Sequence, residues 1–286
     1  MAWRDHPSYA RVLWTIVRNS LVRDLSFRSN FVIECVSSVC WVMMNLGFYL
    51  LIFQYTQEIG RGTGWGKYEF FVFLSTTMFV NSIVQAFFMP NAQEFSELIR
   101  TGRLDFALLK PIDAQFLVSL HRVEWSSFAN FFVGLALLGY SLWRLVHRPE
   151  DPLELRPSML VSYPFYLLCG VAILYSLMIS LAATSIWLGR NQTLYNFWFY
   201  ITNFSRYPME IYSGSWGTPL QWFFTFIIPV LVVVNVPARF LALPLGWQDP
   251  RVWWLPAFAV VATIGSLLGS RWVFQRALLA YRSASS

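Results

Sequence analysis

The chain has 286 residues, of which 56% are hydrophobic, 19% aromatic and only 13% charged. A water-soluble protein of that size needs far more polar surface to cover its core, so composition excludes one or two soluble domains. The formal charge of +6 does not point to nucleic acid, because the basic residues sit at the ends of apolar runs rather than in one patch.

Residues 7–28 predict an amphipathic helix lying in the membrane interface. Val12, Leu13, Ile16, Val17 and Leu21 share one face, and Arg11, Thr15, Arg18 and Asn19 the other. Arg4, Arg11, Arg18, Arg23 and Arg28 would hold that helix on the cytoplasmic side. The first twenty residues carry arginines throughout and no short apolar core before a cleavage site, so no signal peptide is expected.

Span one is predicted over 30–53 and span two over 69–88, each near the ~20 apolar residues that a crossing helix needs. Between them, Gln54–Lys67 is an external loop containing Gly60-Arg-Gly-Thr-Gly-Trp-Gly-Lys67. It is not a phosphate loop: Arg61 holds the first glycine's place and Tyr68 that of the magnesium-binding hydroxyl. A flexible turn is expected there.

After span two comes the one strongly polar interruption, Met89-Pro-Asn-Ala-Gln-Glu-Phe-Ser-Glu-Leu-Ile-Arg-Thr-Gly-Arg-Leu-Asp-Phe-Ala-Leu-Leu-Lys-Pro111. It reads as a short amphipathic helix, a glycine turn and a second short helix stopped by proline. Between two spans, on the basic side, such a segment is what a membrane subunit offers to a soluble partner. Mixed charge argues against a helix that binds only lipid, because lipid-facing helices favour lysine and arginine.

Span three is predicted over 125–146, span four over 159–188 and span five over 194–212, with Gly189-Arg190-Asn191 marking a return to the cytoplasm. Asn203, Ser205, Arg206 and Glu210 fall in the outer half of span five. The stretch 214–250 holds Pro219, Pro229, Pro237, Pro244 and Pro250 around a strongly apolar run, 222–236. Proline breaks helices, and broken helices at membrane depth need shielding, so a re-entrant pair of half-helices bent near Pro229 is expected. A seventh, kinked span is the alternative, but it would put the basic tail outside. The last span, 251–274, leads into Arg271, Arg276 and Arg282. The predicted fold class is therefore an all-α integral membrane protein of six transmembrane helices, a single domain over 1–286, with both termini cytoplasmic.

The chemistry-bearing residues are sparse. His6, His121 and His147 are scattered, and only His121-Arg122-x-Glu124 is locally suggestive of catalysis. Cys35, Cys40 and Cys169 lie inside predicted spans without metal-ligand or redox spacing. No catalytic or metal-ligating residue is assigned. Glu34 lies one turn inside span one, with Arg28 or Arg122 as possible partners. Asn45, Asn81 and Gln85 are also within spans, where polar side chains either glue helices together or line a path.

Three phrases carry a family resemblance. Ile99-Arg-Thr-Gly-Arg-Leu-Asp-Phe-Ala-Leu-Leu-Lys-Pro111 resembles the "I-x-x-G-x-L-D-x-x-L-L-x-P" segment of the bacterial six-span branch of ABC-2 class export permeases. Arg206-Tyr-Pro-Met-Glu-Ile-Tyr212, Phe226-Ile-Ile-Pro229 and Asn235-Val-Pro-Ala238 resemble that branch's "R-Y-P…I-Y…I-P…N-x-P-A" region, and Tyr281-Arg-Ser-Ala-Ser285 its usual ending.

The resemblance implies the permease subunit of an exporter in a bacterial plasma membrane, paired with a second permease and with cytoplasmic ABC ATPase subunits. No cofactor is expected in this chain; ATP and magnesium would sit on the partner ATPase. Residues 89–115 would form the ATPase-coupling segment. Phe95, Leu98, Ile99, Leu104, Phe106 and Leu108 would be its apolar anchors and Glu94, Glu97, Arg100, Arg103 and Asp105 its charged rim, with the turn at Gly102. Spans two and five would meet at the dimer seam, making Asn81, Gln85 and Asn203, with Glu34, candidates for the translocation path. Pro208, Pro229 and Pro237 would shape a re-entrant gate. The alternatives are a membrane-embedded lipid-modifying enzyme and an ATP-independent carrier. Cargo, and homodimer against heterodimer, stay open.

Overall fold

The computed structural model describes residues 8–60, 62–188, 192–243 and 251–284. Expectations for Arg4, Arg61, Arg190, Pro244, Pro250 and Ser285 fall outside them. Among the described residues five helices are long and apolar enough to cross a membrane, and a sixth if one sharply bent helix pair counts as a single span. The protein is an all-α integral membrane protein.

Helix α1 (Tyr9–Ser26) breaks at Phe27 and gives way to α2 (Arg28–Tyr55). α1 is tied to the loop before the third long helix. Ser20 Oγ accepts the Val123 N–H at 3.1 Å, Asp24 Oδ2 accepts the Trp125 N–H at 3.1 Å, and Arg23 donates to Asp24 and to the Val123 carbonyl. Arg23 thus fastens α1 to the body, a use beyond the lipid contact expected of it. α2 has no buried residue along its 28 positions.

The glycine-rich loop is more organised than a flexible turn. The Glu58 carboxylate accepts the N–H groups of Gly62 and Gly64, and Glu58 bridges Gly66 in a single antiparallel pair. Those amides hold the carboxyl below its usual range. The loop opens α3 (Lys67–Phe87), whose bulky residues Phe70, Phe73, Val80 and Val84 are all buried. The 3-10 turn Trp125–Ser127 and α7 (Phe128–Val146) pack along α3. Glu69 at the head of α3 pairs with Arg148 just beyond α7, at 2.9 Å.

Three further helices lie between α3 and α7: α4 (Met89–Arg100), α5 (Arg103–Leu108) and α6 (Ala114–Ser119). α8 (Pro157–Ala183) is continued by the single turn α9 (Ser185–Leu188).

The expected fifth span is where sequence and structure part. α10 runs only over Gln192–Asn203, and 3-10 turns follow at Phe204–Arg206 and Met209–Tyr212. Twelve residues of helix make roughly 18 Å, short of the ~30 Å hydrocarbon core. Pro208 explains why helix does not resume between those turns: it offers no N–H and forces Tyr207 into extended backbone (φ −125°, ψ 150°).

Next come α11 (Gly217–Trp222), a π-helical turn at Phe223–Ile227, and α12 (Val230–Ala242). The two arms meet at 89° across the break at Ile228 and Pro229. α12 is buried almost throughout, wedged between α3 and α8, and α13 (Arg251–Ala284) closes the bundle against α8. Pro237 inside α12 cannot donate to the Val233 carbonyl. Gly170 of α8 lies against that carbonyl: a Cβ there would come within 2.5 Å of its oxygen. Close backbone approach through a small residue is a common way for helices to pack in membranes.

Candidate functional site

The segment between α3 and α7 is built outward from one buried amide. Asn91 sits on the first turn of α4, 2% exposed. Its Nδ2 shares two N–H bonds among the carbonyls of Phe87, Ser119 and Arg122 at 2.7, 3.0 and 2.8 Å, and its Oδ1 accepts the Arg122 N–H at 2.8 Å. One side chain therefore closes the segment's two ends on each other.

Two aromatic and aliphatic plugs fix the middle. Phe95 is 0% exposed, with its ring 5.9 Å from that of Phe274 on α13, and Leu104 is also 0% exposed. This corrects the expectation that both present apolar surface to a partner: they are spent inside the chain. Phe106, 71% exposed, is the anchor that remains from that set, and Leu109, 81% exposed, joins it. Leu98, Ile99 and Leu108 are half-buried. The sequence pattern could not separate these leucines and phenylalanines, since α5 has apolar residues on both faces.

The turn between α4 and α5 needs Gly102, whose φ of +70° lies in the left-handed region. Around it, Arg100 is bidentate to Glu97 at 2.7 and 3.0 Å, Arg103 reaches Glu94 at 3.7 Å, and Asp105 is exposed. These pairs are solvent-facing, so they shape the rim rather than stabilise the fold.

A polar hub then links the segment to the long helices. Asp113 caps α6 by accepting the Phe116 N–H at 3.0 Å, and it is also gripped by Arg271 of α13. Arg271 donates to Gln115 Oε1 at 3.1 Å, Gln115 donates to the Tyr175 hydroxyl of α8 at 3.0 Å, and Ser119 lies 2.9 Å from that same hydroxyl. The Arg271 guanidinium, aided by the Phe116 and Gln115 amides, holds the Asp113 carboxyl below the ordinary carboxylate range.

The expected path residues are not gathered into one constellation. Asn81 is half-buried and Gln85 exposed, one turn apart on α3; Asn203 ends α10; Glu34 is exposed on α2. Among the described residues no hydrogen bond or ion pair joins these four. Glu34 forms no ion pair there with Arg28 or Arg122, correcting the expected partnership.

The structure does bring two sequence phrases together at the other end of α3, some 30 Å away by helix length. Asn235 of α12 is fully buried, donates to the Leu231 carbonyl at 2.7 Å and accepts the Met209 N–H at 2.8 Å. Glu210 pairs with Arg239 and accepts the Trp65 indole N–H at 3.0 Å, with the Arg239 guanidinium 5.9 Å from the Trp65 ring centre. The buried Pro208 begins the 3-10 turn that aims Glu210, and Pro229 begins the helix that carries Arg239. Glu210 was visible as a charge in an apolar stretch; its partner was not, because it lies 29 positions later across an 89° bend. Next to this knot lies a cavity of about 430 Å³ bounded by Thr63, Glu210, Gln221, Thr225 and the rings of Trp222 and Trp254.

Among the described residues no group of three or more His, Cys, Asp or Glu side chains is placed to hold a metal ion. No curated protein and no solved structure matches the chain significantly. The family model described as ABC-2 family transporter protein matches residues 39–285, from the middle of α2 to the end of the chain. The chain belongs to the ABC-2 family of transporter proteins and is a membrane permease of an ABC transporter.

Proposed function

We propose that this permease is driven by separate cytoplasmic ATPase subunits, which hydrolyse ATP with magnesium and dock on residues 89–115. The observation that carries this is the pairing of exposure with rigidity. Phe106 and Leu109 stand out on the surface while Phe95 and Asp113 lock the same segment to α13, and Gln115 and Ser119 lock it to Tyr175 of α8. A push on that apolar tip would move long helices as bodies, the kind of rigid switch that a partner's ATP cycle can bias. Glu94, Glu97, Arg100, Arg103 and Asp105 form the charged rim of the docking patch.

The rest of the assembly follows from the same reading. Residues 192–212 complete a sixth crossing, the 3-10 turns after α10 supplying the length that its helix lacks, so both termini are cytoplasmic in a bacterial plasma membrane, and the chain exports its cargo as one of two permeases. The bent pair at 217–242 is a re-entrant gate with Pro208, Pro229 and Pro237 at its turns, and Asn81, Gln85, Asn203 and Glu34 flank the path. Lack of buried residues along α2 supports a helix that faces lipid or the second permease.

The test is co-expression with candidate ABC ATPase subunits, followed by co-purification and ATPase assay in proteoliposomes. Wild type should retain and stimulate the ATPase, and Phe106→Asp with Leu109→Asp should abolish both. Undiminished stimulation by the double variant would refute docking at this patch. A chain that transports alone in liposomes would favour the carrier alternative.

A further inference from the structure

The cavity beside the Glu210–Arg239 knot has a chemistry that coupling to an ATPase does not use. Its volume, about 430 Å³, falls within the ~300–1,000 Å³ of small-molecule sites. It lies at the opposite end of α3 from the coupling segment. Its charge is already balanced: the Glu210 carboxylate is engaged by Arg239 and by the Trp65 N–H. Among the described residues no lysine or arginine lines it. A phosphate would find no cation among them, and an ammonium group would find a carboxylate already neutralised.

What the walls do offer is hydroxyl, amide and aromatic surface. Thr225 is 2% exposed, yet its hydroxyl has no hydrogen-bond partner among the described residues. The cause is local. Thr76, Thr77, Thr202, Thr218 and Thr263 all donate to the carbonyl four residues back, as helical threonines do. Thr225 lies in the π-helical turn, whose wider register breaks that pattern, and π turns often mark functional sites. A buried hydroxyl without a partner costs ~1–3 kcal/mol unless something enters to bond it. Gln221, one turn earlier, adds an amide. Trp222, Phe226 and Trp254 add ring faces, with Phe226 stacked on Trp254 at 5.8 Å.

We propose that this cavity binds a neutral, polyhydroxylated ring: a sugar unit, free or as the head of a glycolipid. Its apolar face lies on the indoles of Trp222 or Trp254, and its hydroxyls bond Thr225, Gln221 and the outer edge of Glu210. A neutral ring with one greasy face and a hydroxyl fringe matches a charge-balanced pocket of aromatic faces and hydroxyls. The site needs no ATPase contact, so it stands or falls apart from the proposed function.

The test uses the full chain in nanodiscs of phosphatidylethanolamine and phosphatidylglycerol, purified without sugar-headed detergent. Maltose and choline chloride are titrated by calorimetry, and monogalactosyl diacylglycerol binding is read by native mass spectrometry. Two variants run alongside: Trp222→Ala, at an exposed position, and the isosteric Thr225→Val. Saturable binding of a sugar probe, weakened about tenfold or more in both variants at unchanged melting temperature, is the expected result. Binding of maltose assigns a free saccharide, and binding of the galactolipid alone assigns a lipid head. Absence of saturable binding by either, equal binding by wild type and variants, or tighter binding of choline than of sugar would overturn it.

Discussion

Arg271, on the last long helix, donates to Asp113 Oδ1 at 2.9 Å while Asp113 also caps α6 through the Phe116 N–H. One carboxylate therefore joins the end of the segment 89–115 to a membrane-spanning helix 158 residues later. Because Arg271 holds the Asp113 carboxyl below its unfolded range, the stabilisation is complete above the ordinary carboxylate range. It is lost as pH falls through the depressed folded value. The melting temperature of the detergent-solubilised protein should drop over that acid window, and Asp113→Asn should flatten the drop. Asparagine still caps the helix, so at neutral pH the variant should lose only about 1 kcal/mol, and an unchanged acid profile would show that Asp113 is not the group responsible.

Asn91 makes the sharpest stability case. Replacing it by Leu leaves three carbonyls, buried or half-buried, and one N–H without its contacts. The expected loss is more than about 2 kcal/mol, read as reduced yield and a lower thermal midpoint. A variant as stable as wild type would mean that water replaces the amide.

Within the segment 89–115, burial divides residues that look alike. Phe95→Asp and Leu104→Asp put a charge where no surface exists, and both should fail to accumulate as folded protein. Phe106→Asp and Leu109→Asp should fold normally, with melting temperatures within about 2 °C of wild type. Size-exclusion profiles of the four variants check the division.

Gly170 has no room for a larger residue. Gly170→Ala should cost ~1–3 kcal/mol by pressing on the Val233 carbonyl at 2.5 Å, where α12 cannot retreat from between α3 and α8. Gly139, with open space around it, is the control and should tolerate alanine. Equal melting temperatures for the two variants would show that the α8–α12 contact yields.

Glu210→Gln and Arg239→Met each strand a buried charge, at a cost of ~3–5 kcal/mol, whereas the double variant should recover much of the loss. A double-mutant cycle on thermal midpoints measures that coupling. Strictly additive losses would mean that the two side chains act independently.

Much was legible in the sequence because a membrane leaves few options. Long apolar runs had to become helices, since no water satisfies backbone groups in lipid. The runs around Phe70–Val84, Phe128–Val146 and Leu167–Ala183 therefore declared themselves. Proline also spoke plainly at Pro229, where local geometry alone stops a helix, whereas the expected span five ran through Pro208 and the structure ends its helix at Asn203. Pairings across long sequence separations were another matter. Asp113 with Arg271, Glu210 with Arg239, and Asn235 with the Met209 N–H depend on how helices pack, which no window of residues contains. Apolar residues in α4 and α5 were readable as anchors, but whether Phe95 faces α13 or Phe106 faces solvent depends on which side of a six-residue helix meets the bundle. Composition and period determine what must leave water or enter lipid; only tertiary structure decides which atoms meet, because burial and pairing belong to the packed arrangement and not to the chain.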